Sequence, residues 1–304
     1  MQKIDRNTVL LSDLPKSLVE SLEKLLLGQI VKKKLTIGQI DYVFLGFLSN
    51  DTFVSFPLLD MCVVQDAEVN CKYDKSDTYQ IKLSSFFGPD SEGVETEKSF
   101  FLINVNRDYL SYLSSLKSKY RSQMNNIKSP FRYSIASNFK MRDVDLFYKI
   151  YINRMREIGT LPMPKDFFYG LSDSESIFLS RVVVDGNYRA ASISVKVKDV
   201  MHLIWAASDN RQSANLFMYR ELIRFCCNDK EIKFLNIGRA TNKSSQYKFK
   251  ERIGGDRIPI REFSNRGLLN RRSKLPRYAQ KLYRLVPLFF IEMLSRAIYR
   301  RFIR

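Results

Sequence analysis

Residues 177–206 constrain the fold of this 304-residue chain more than any other stretch. Three apolar runs, Ile177–Val184, Ala190–Lys196 and Met201–Ala206, follow one another with only Asp185-Gly186 and Lys198-Asp199 between them. Such short polar connections, the first a strong hairpin signal, turn a chain back on itself and make three antiparallel strands. A strand near 131–137 and a helix over about 143–157 precede them. Val144, Phe147, Tyr148, Tyr151, Ile152 and Met155 recur on that helix at spacings of three and four. Gly159 suits its C′ position, and Pro162 and Pro164 stop it from resuming before Phe167-Phe168 opens another short helix. Beyond the meander the pattern predicts a helix over 213–228, a strand over 233–237, a helix near 244–252 and an edge-like strand at 258–264. The fold class is α+β.

The first hundred residues read as a smaller, strand-dominated region. Ser12 can cap a helix over about 15–28. Strand-like stretches follow near 40–48, 52–65, 78–87 and 98–105, with a turn cluster at Gly88-Pro89-Asp90-Ser91-Glu92-Gly93. Leu110, Leu113, Leu116, Tyr120, Met124 and Ile127 predict one basic helix from Arg107 to Lys128, which Ser129-Pro130 should end. The expected division is 1–128, 129–270 and a basic tail over 271–304.

Composition narrows the chemistry. Apolar residues make up 45%, with 22 Phe and 16 Tyr, so the chain is a folded one. Cys62, Cys71, Cys226 and Cys227 form no CxxC pair and His202 is the single histidine, which argues against a zinc site and against histidine-based hydrolysis. His202 alternates with Ile204 and reads as a structural residue. Fifty Lys and Arg against 32 Asp and Glu give +18, which favours nucleic acid, acidic lipid or a phosphate-bearing substrate. From Arg261 to Arg304 twelve basic residues face only Glu262 and Glu292, a net of +10. Within that stretch, Leu285–Ile291 is too short to span a bilayer, which takes about 20 residues. It suits a helix lying at a lipid interface, or one docked on the protein core. Met1–Arg6 carry no apolar leader, so the expectation is a cytoplasmic protein, peripheral on the inner face of the plasma membrane.

The densest constellation is Phe234-Leu235-Asn236-Ile237-Gly238-Arg239-Ala240, followed by Ser244-Ser245-Gln246-Tyr247-Lys248-Phe249-Lys250. A strand that ends at a glycine permits an unusual backbone angle or a close ligand approach, and here it delivers Arg239 beyond the strand end. An arginine there suits phosphate or carboxylate, and Lys250 adds a second positive charge from the next helix. Trp205 is core or cleft wall, Asn215 caps a helix or binds substrate, and Glu157 forms a surface pair with nearby arginines. The turn Asn210–Ala214 has no glycine with which to cradle a pyrophosphate.

These residues, with Arg154-Met155…Gly159-Thr160-Leu161-Pro162, Trp205-Ala206-Ala207-Ser208, Asn215–Ile223 and Tyr247-x-Phe249-Lys250-x-Arg252-x-Gly254, resemble in order and spacing the FemAB-like branch of the GNAT superfamily, in its exopolysaccharide-associated form. The resemblance implies a tandem GNAT-like fold with a shortened first domain and a complete second one. It implies an acyl or aminoacyl transferase that takes its group from acyl-CoA or aminoacyl-tRNA, with no tightly bound cofactor and no metal. The acceptor would be an amine or hydroxyl of a lipid-linked glycan or envelope precursor. By the same resemblance Arg239, Lys250, Tyr247 and Asn236 are the catalytic candidates, and Trp205, Asn215, Gly238 and Arg239 the donor-binding ones, with Glu221 framing the cleft. Partners would be the glycan acceptor, tRNA, and an anionic membrane at the tail. Asn236 and Ser245 depart from the Asp and Gly usual in the family, and Ala240 from Ser. Those departures keep open an inactive scaffold of this fold; the charge alone keeps open an RNA binder.

Overall fold

The computed structural model describes residues 9–10, 13–26, 31–37, 40–49, 52–55, 63–64, 72–73, 78–84, 94–127, 130–209, 213–264 and 283–301. Along the chain run β1 (Val9–Leu10), α1 (Lys16–Leu26), β2 (Val31–Ile37), β3 (Ile40–Ser49), β4 (Thr52–Ser55), β5 (Val63–Val64), β6 (Lys72–Tyr73), β7 (Thr78–Ser84) and β8 (Val94–Asn104). Next come α2 (Tyr109–Ser115), α3 (Ser118–Asn125), β9 (Arg132–Ser137), α4 (Met141–Ile158), α5 (Lys165–Tyr169), β10 (Ile177–Val184), β11 (Asn187–Val197) and β12 (Val200–Ser208). The last are α6 (Ala214–Asn228), β13 (Phe234–Thr241), α7 (Ser245–Arg252), β14 (Asp256–Ser264) and α8 (Leu288–Arg301). The elements separate into two compact units, Met1–Ile103 with Asn236–Asn270 and Arg300–Arg304, and Asn104–Leu235 with Arg271–Tyr299. The sequence divisions at 128 and 270 do not coincide with these boundaries, because residues 236–264 pair with strands from the first hundred.

In the first unit the strands neighbour one another in the order β1-β5-β3-β4-β7-β14-β8-β13, with β2 against β3 and β6. β14 is antiparallel to both β7 and β8, so it is an interior strand and not the expected edge. Pro259 cannot donate to a ladder. The register with β8 shifts between Pro259 and Arg261, and that bulge accommodates it. Ser12 lies outside the described residues. At the start of α1, Pro15 O accepts from Leu18 N and Val19 N.

The second unit carries the meander. β10, β11 and β12 are consecutive antiparallel neighbours, and β9 completes the sheet against β10. Asp185 and Gly186 have φ of 49° and 74°, the pair of positive angles a tight hairpin requires. Leu179, Ile193 and Trp205 stand in register on one face, where Trp205 meets Phe167 and Phe168 of α5 edge-on at 5.3 and 5.4 Å. Phe178 projects to the other face and packs on Phe225 of α6. Alternation along the strands thus sends α4 with α5 to one side and α6 to the other. α4 begins with Asp143 accepting from Lys140 N at 3.1 Å. It ends at Gly159, left-handed with φ 71°, where Thr160 N donates to Met155 O at 2.9 Å.

One expected element is divided. The single helix over 107–128 is two, broken at Leu116, whose ψ of 149° is extended. Ser114 and Ser115 turn their hydroxyls back onto Ser111 O and Tyr112 O, competing with the helical ladder. The buried face is therefore Tyr109, Tyr112, Leu113, Leu116 and Met124, while Leu110 is exposed.

Candidate functional site

From Asn236 on, the constellation on β13 and α7 folds into one local structure within the first unit. β13 runs buried through Leu235, Asn236 and Ile237 and then kinks at Gly238, whose φ is 78°. A side chain at this angle would be strained, so the glycine is what allows the kink. Asn236 stabilises it, its Oδ1 accepting from Gly238 N at 2.8 Å. That contact needs an acceptor oxygen, which a carboxamide supplies as well as a carboxylate does. The Asn for Asp departure therefore preserves the backbone role while removing the charge. The strand does not end at the glycine as expected but continues to Thr241, and past the kink Arg239 is exposed and Ala240 buried.

α7 supplies a brace. Ser244 caps it by accepting from Tyr247 N at 3.1 Å. One and a half turns on, Lys250 is buried, at 8% exposure, and its Nζ donates to Ile237 O at 2.5 Å and to Arg239 O at 3.1 Å. The ammonium therefore straddles Gly238 and holds the backbone on both sides of it. The sequence placed Lys250 as a charge aimed at the donor; the structure aims it at β13. Tyr247 is half-buried, its ring edge-on to Phe101 of β8 at 5.0 Å. Gly255 closes the arrangement: a Cβ there would come within 2.9 Å of both Lys250 O and the Phe101 Cβ. Asn236, Gly238, Arg239, Tyr247 and Lys250 are thus brought together, with Arg239 on the exposed side.

Trp205 and Asn215 belong to the second unit. Trp205 is a core residue of that unit, at 6% exposure inside the aromatic cluster of Phe147, Tyr151, Phe167 and Phe168. Within its unit it is core, the first of the two readings the sequence left for it. Asn215 lies in the first turn of α6 and is not the cap residue, a position held by Ser213 at φ 59°. Glu221 engages Arg220 at 2.7 Å and Arg224 at 3.3 Å, and Arg220 also donates to Met124 O, tying α6 to α3. Glu157 pairs with Arg154 at 2.9 Å.

The histidine and the cysteines among the described residues are not poised for nucleophile or general-base chemistry. Burial pushes the His202 pKa down to about 3, so the ring is neutral. Burial pushes the Cys226 thiol up, and that of Cys227 up to about 11, which leaves negligible thiolate near neutrality. Among the described residues no group of His, Cys, Asp and Glu is placed to hold a metal ion.

The second unit also holds an open cleft of about 440 Å³, lined by Arg132, Lys140, Arg142 and Arg181 together with Tyr133 and Tyr188. Arg181 is fixed in it by Ser134 Oγ at 2.6 Å, Tyr188 OH at 3.0 Å and the Asp143 carboxylate. The sequence reading passed over this cluster. Its signal was an arginine inside the strand run Ile177–Val184, with Arg132 at the start of β9 and Lys140 and Arg142 at the junction of β9 and α4.

Residues 114–250 match the acetyltransferase (GNAT) domain family. They carry an α+β fold domain of GNAT type. Among solved structures the chain is similar to FemX, at 12% identity and a TM-score of 0.55 over 89% of this chain and 93% of that one. L-PGS from Bacillus licheniformis is similar at 10% identity and a TM-score of 0.53, over 88% and 96% of the two chains. The C-terminal domain of a provisionally named lysylphosphatidylglycerol synthetase from Agrobacterium fabrum gives 11% and 0.54, over 84% and 92%. At these identities the likeness is one of fold. No curated protein matches the chain significantly.

Proposed function

We propose that the chain is an acyl or aminoacyl transferase working at the Gly238–Arg239 kink of β13, with Arg239 as the group that meets the donor or the developing oxyanion. The observation that carries this reading is the braced kink, in which Lys250 and Asn236 hold Gly238 so that an exposed arginine follows it. The match to the GNAT acetyltransferase domain supports the reaction class. In this reading the tandem arrangement is retained, the first unit being a shortened second copy of the fold.

The reaction is direct transfer. The lone pair of an acceptor amine or hydroxyl forms a bond to the donor carbonyl. The bond to the CoA sulfur, or to the tRNA ribose oxygen, then breaks, and the acceptor proton leaves for the departing group or for water. The perturbed cysteines and histidine support a route without a covalent enzyme intermediate. Positioning and charge then supply the acceleration. The acceptor we propose is a lipid-linked glycan or envelope precursor. The similar structure named for lysylphosphatidylglycerol synthesis supports it, as do the basic cleft beside α4 and the net charge. In this account Tyr247 shapes the site beside Arg239, Lys250 and Asn236 position its backbone, and Asn215 and Trp205 support the other unit. The protein works on the cytoplasmic membrane face.

The test is a product screen. Purified protein receives acyl-CoA or aminoacyl-tRNA mixtures together with envelope lipid extract, and new masses are read by mass spectrometry. An acylated or aminoacylated lipid-linked product is expected from one donor class. Protein that binds either donor yet forms no product supports the inactive scaffold instead.

A further inference from the structure

α8 has two unlike faces. One is seated on the second unit: Ile291 and Ser295 are fully buried, and Ser295 Oγ donates to Pro162 O at 2.5 Å. Arg296 reaches Asp166 at 3.4 Å, and Tyr283, just ahead of the helix, donates to Thr160 O at 3.4 Å. The helix is thereby fixed in rotation, and its other face cannot turn inward.

That other face is apolar and bare. Leu285 is 79% exposed, Phe289 71%, Phe290 52%, Met293 53% and Leu294 42%. On α8, residues 289 and 293 are four positions apart with 290 and 294 beside them, so these four form one stripe, and Leu285 lies just ahead of the helix. Phe289 and Phe290 stand edge-to-face at 5.7 Å. Exposed apolar residues scattered singly need no explanation, but a continuous stripe of four on a fixed helix does. Its flanks are cationic. Arg284 and Arg296 are exposed, Glu292 is engaged by Arg296 at 3.2 Å, and residues 261–304 carry a net of +10. That charge decides the occupant. A second copy would bring a +18 chain against itself with arginines on both sides, whereas an anionic lipid surface complements it. Among the described residues no helix is long and apolar enough to cross a membrane, so the fitting geometry is a helix lying in the interface.

We propose that α8 seats this protein on an anionic bilayer, with Phe289, Phe290, Met293 and Leu294 at the acyl boundary and Leu285 and Arg284, just ahead of the helix, at the acyl boundary and among the headgroups respectively. Both expectations for the tail then hold, one on each face of the helix. The inference does not depend on the transfer reaction and is tested without it.

The full-length chain is co-sedimented with phosphatidylcholine vesicles, with and without one third phosphatidylglycerol, as wild type and as Phe289→Ser/Phe290→Ser. Wild type is expected to bind the anionic vesicles, less so as salt rises. The double variant should partition about 100-fold more weakly, taking about tenfold for each half-immersed ring. Both side chains are exposed, so the variant should melt with the wild type. As a second probe, Phe289→Trp should shift its emission to the blue when anionic vesicles are added, while buried Trp205 stays constant. Three results overturn the proposal: equal vesicle binding by the double variant, no spectral shift, or lipid-free dimerisation that the double variant abolishes. The last would make the stripe a contact between copies.

Discussion

Replacing Lys250 with methionine isolates the brace at Gly238. The side-chain stem is kept, so the packing of α7 changes little, but both hydrogen bonds from Nζ are lost. Charge-assisted bonds of this kind contribute roughly 1.5–3 kcal/mol each. Their sum overstates the effect, because the cost of burying an ammonium at 8% exposure disappears with it. What remains is two carbonyls each short of a donor, and the expected net loss is about 2–3 kcal/mol. The assay combines urea unfolding followed by circular dichroism with hydrogen–deuterium exchange of the peptide covering β13. The midpoint should fall, and amides around Gly238 should exchange roughly 30-fold or more faster, the factor that 2 kcal/mol implies. Exchange and stability unchanged within about 0.5 kcal/mol would refute the brace, and the site would then need another support.

Three further outcomes follow from the same geometry. Gly255→Ala should cost about 1–3 kcal/mol in urea unfolding, since its methyl meets the Lys250 carbonyl and the Phe101 Cβ at 2.9 Å; a neutral substitution would show that this crossing yields. Asn236→Asp should leave stability at pH 7 within about 0.5 kcal/mol, because the acceptor for Gly238 N persists, while Asn236→Leu should lose about 1–2 kcal/mol; equal losses would refute the backbone role. His202 titrates near 3 in the fold and near 6.5 when unfolded, so between those values the unfolded chain binds a proton that the fold does not. Its contribution is complete above pH 6.5 and falls as pH drops toward 3, by about 1.4 kcal/mol per unit, and His202→Leu should remove that slope; an identical slope in the variant would contradict it.

The parts of the fold legible in the sequence are those that local chemistry specifies. Asp185-Gly186 can hold two positive φ angles, so the hairpin was evident, and Gly159 ended α4 for the same reason. The aromatic stripe of α4 fell where its spacing put it. What escaped was settled by partners far along the chain. Nothing near Pro259 announces that β14 has neighbours on both sides, since those neighbours are β7 and β8. The break at Leu116 turned on two serine hydroxyls bonding to carbonyls, which an apolar pattern does not register. At the site, the glycine and arginine of β13 stood out, but the direction of Lys250 did not. A lysine beside an arginine reads as a pair of charges for a ligand, and only the tertiary fold shows the ammonium turned onto two carbonyls.

The most direct test of the account is turnover by Arg239→Ala against wild type, with whichever donor the product screen identifies. Loss of an exposed cation that meets developing charge should lower kcat by about 100-fold or more, with the urea midpoint unchanged and partial recovery in Arg239→Lys. Wild-type turnover in Arg239→Ala would contradict the account, because the kink of β13 that Lys250 and Asn236 hold in place would then not be where transfer occurs.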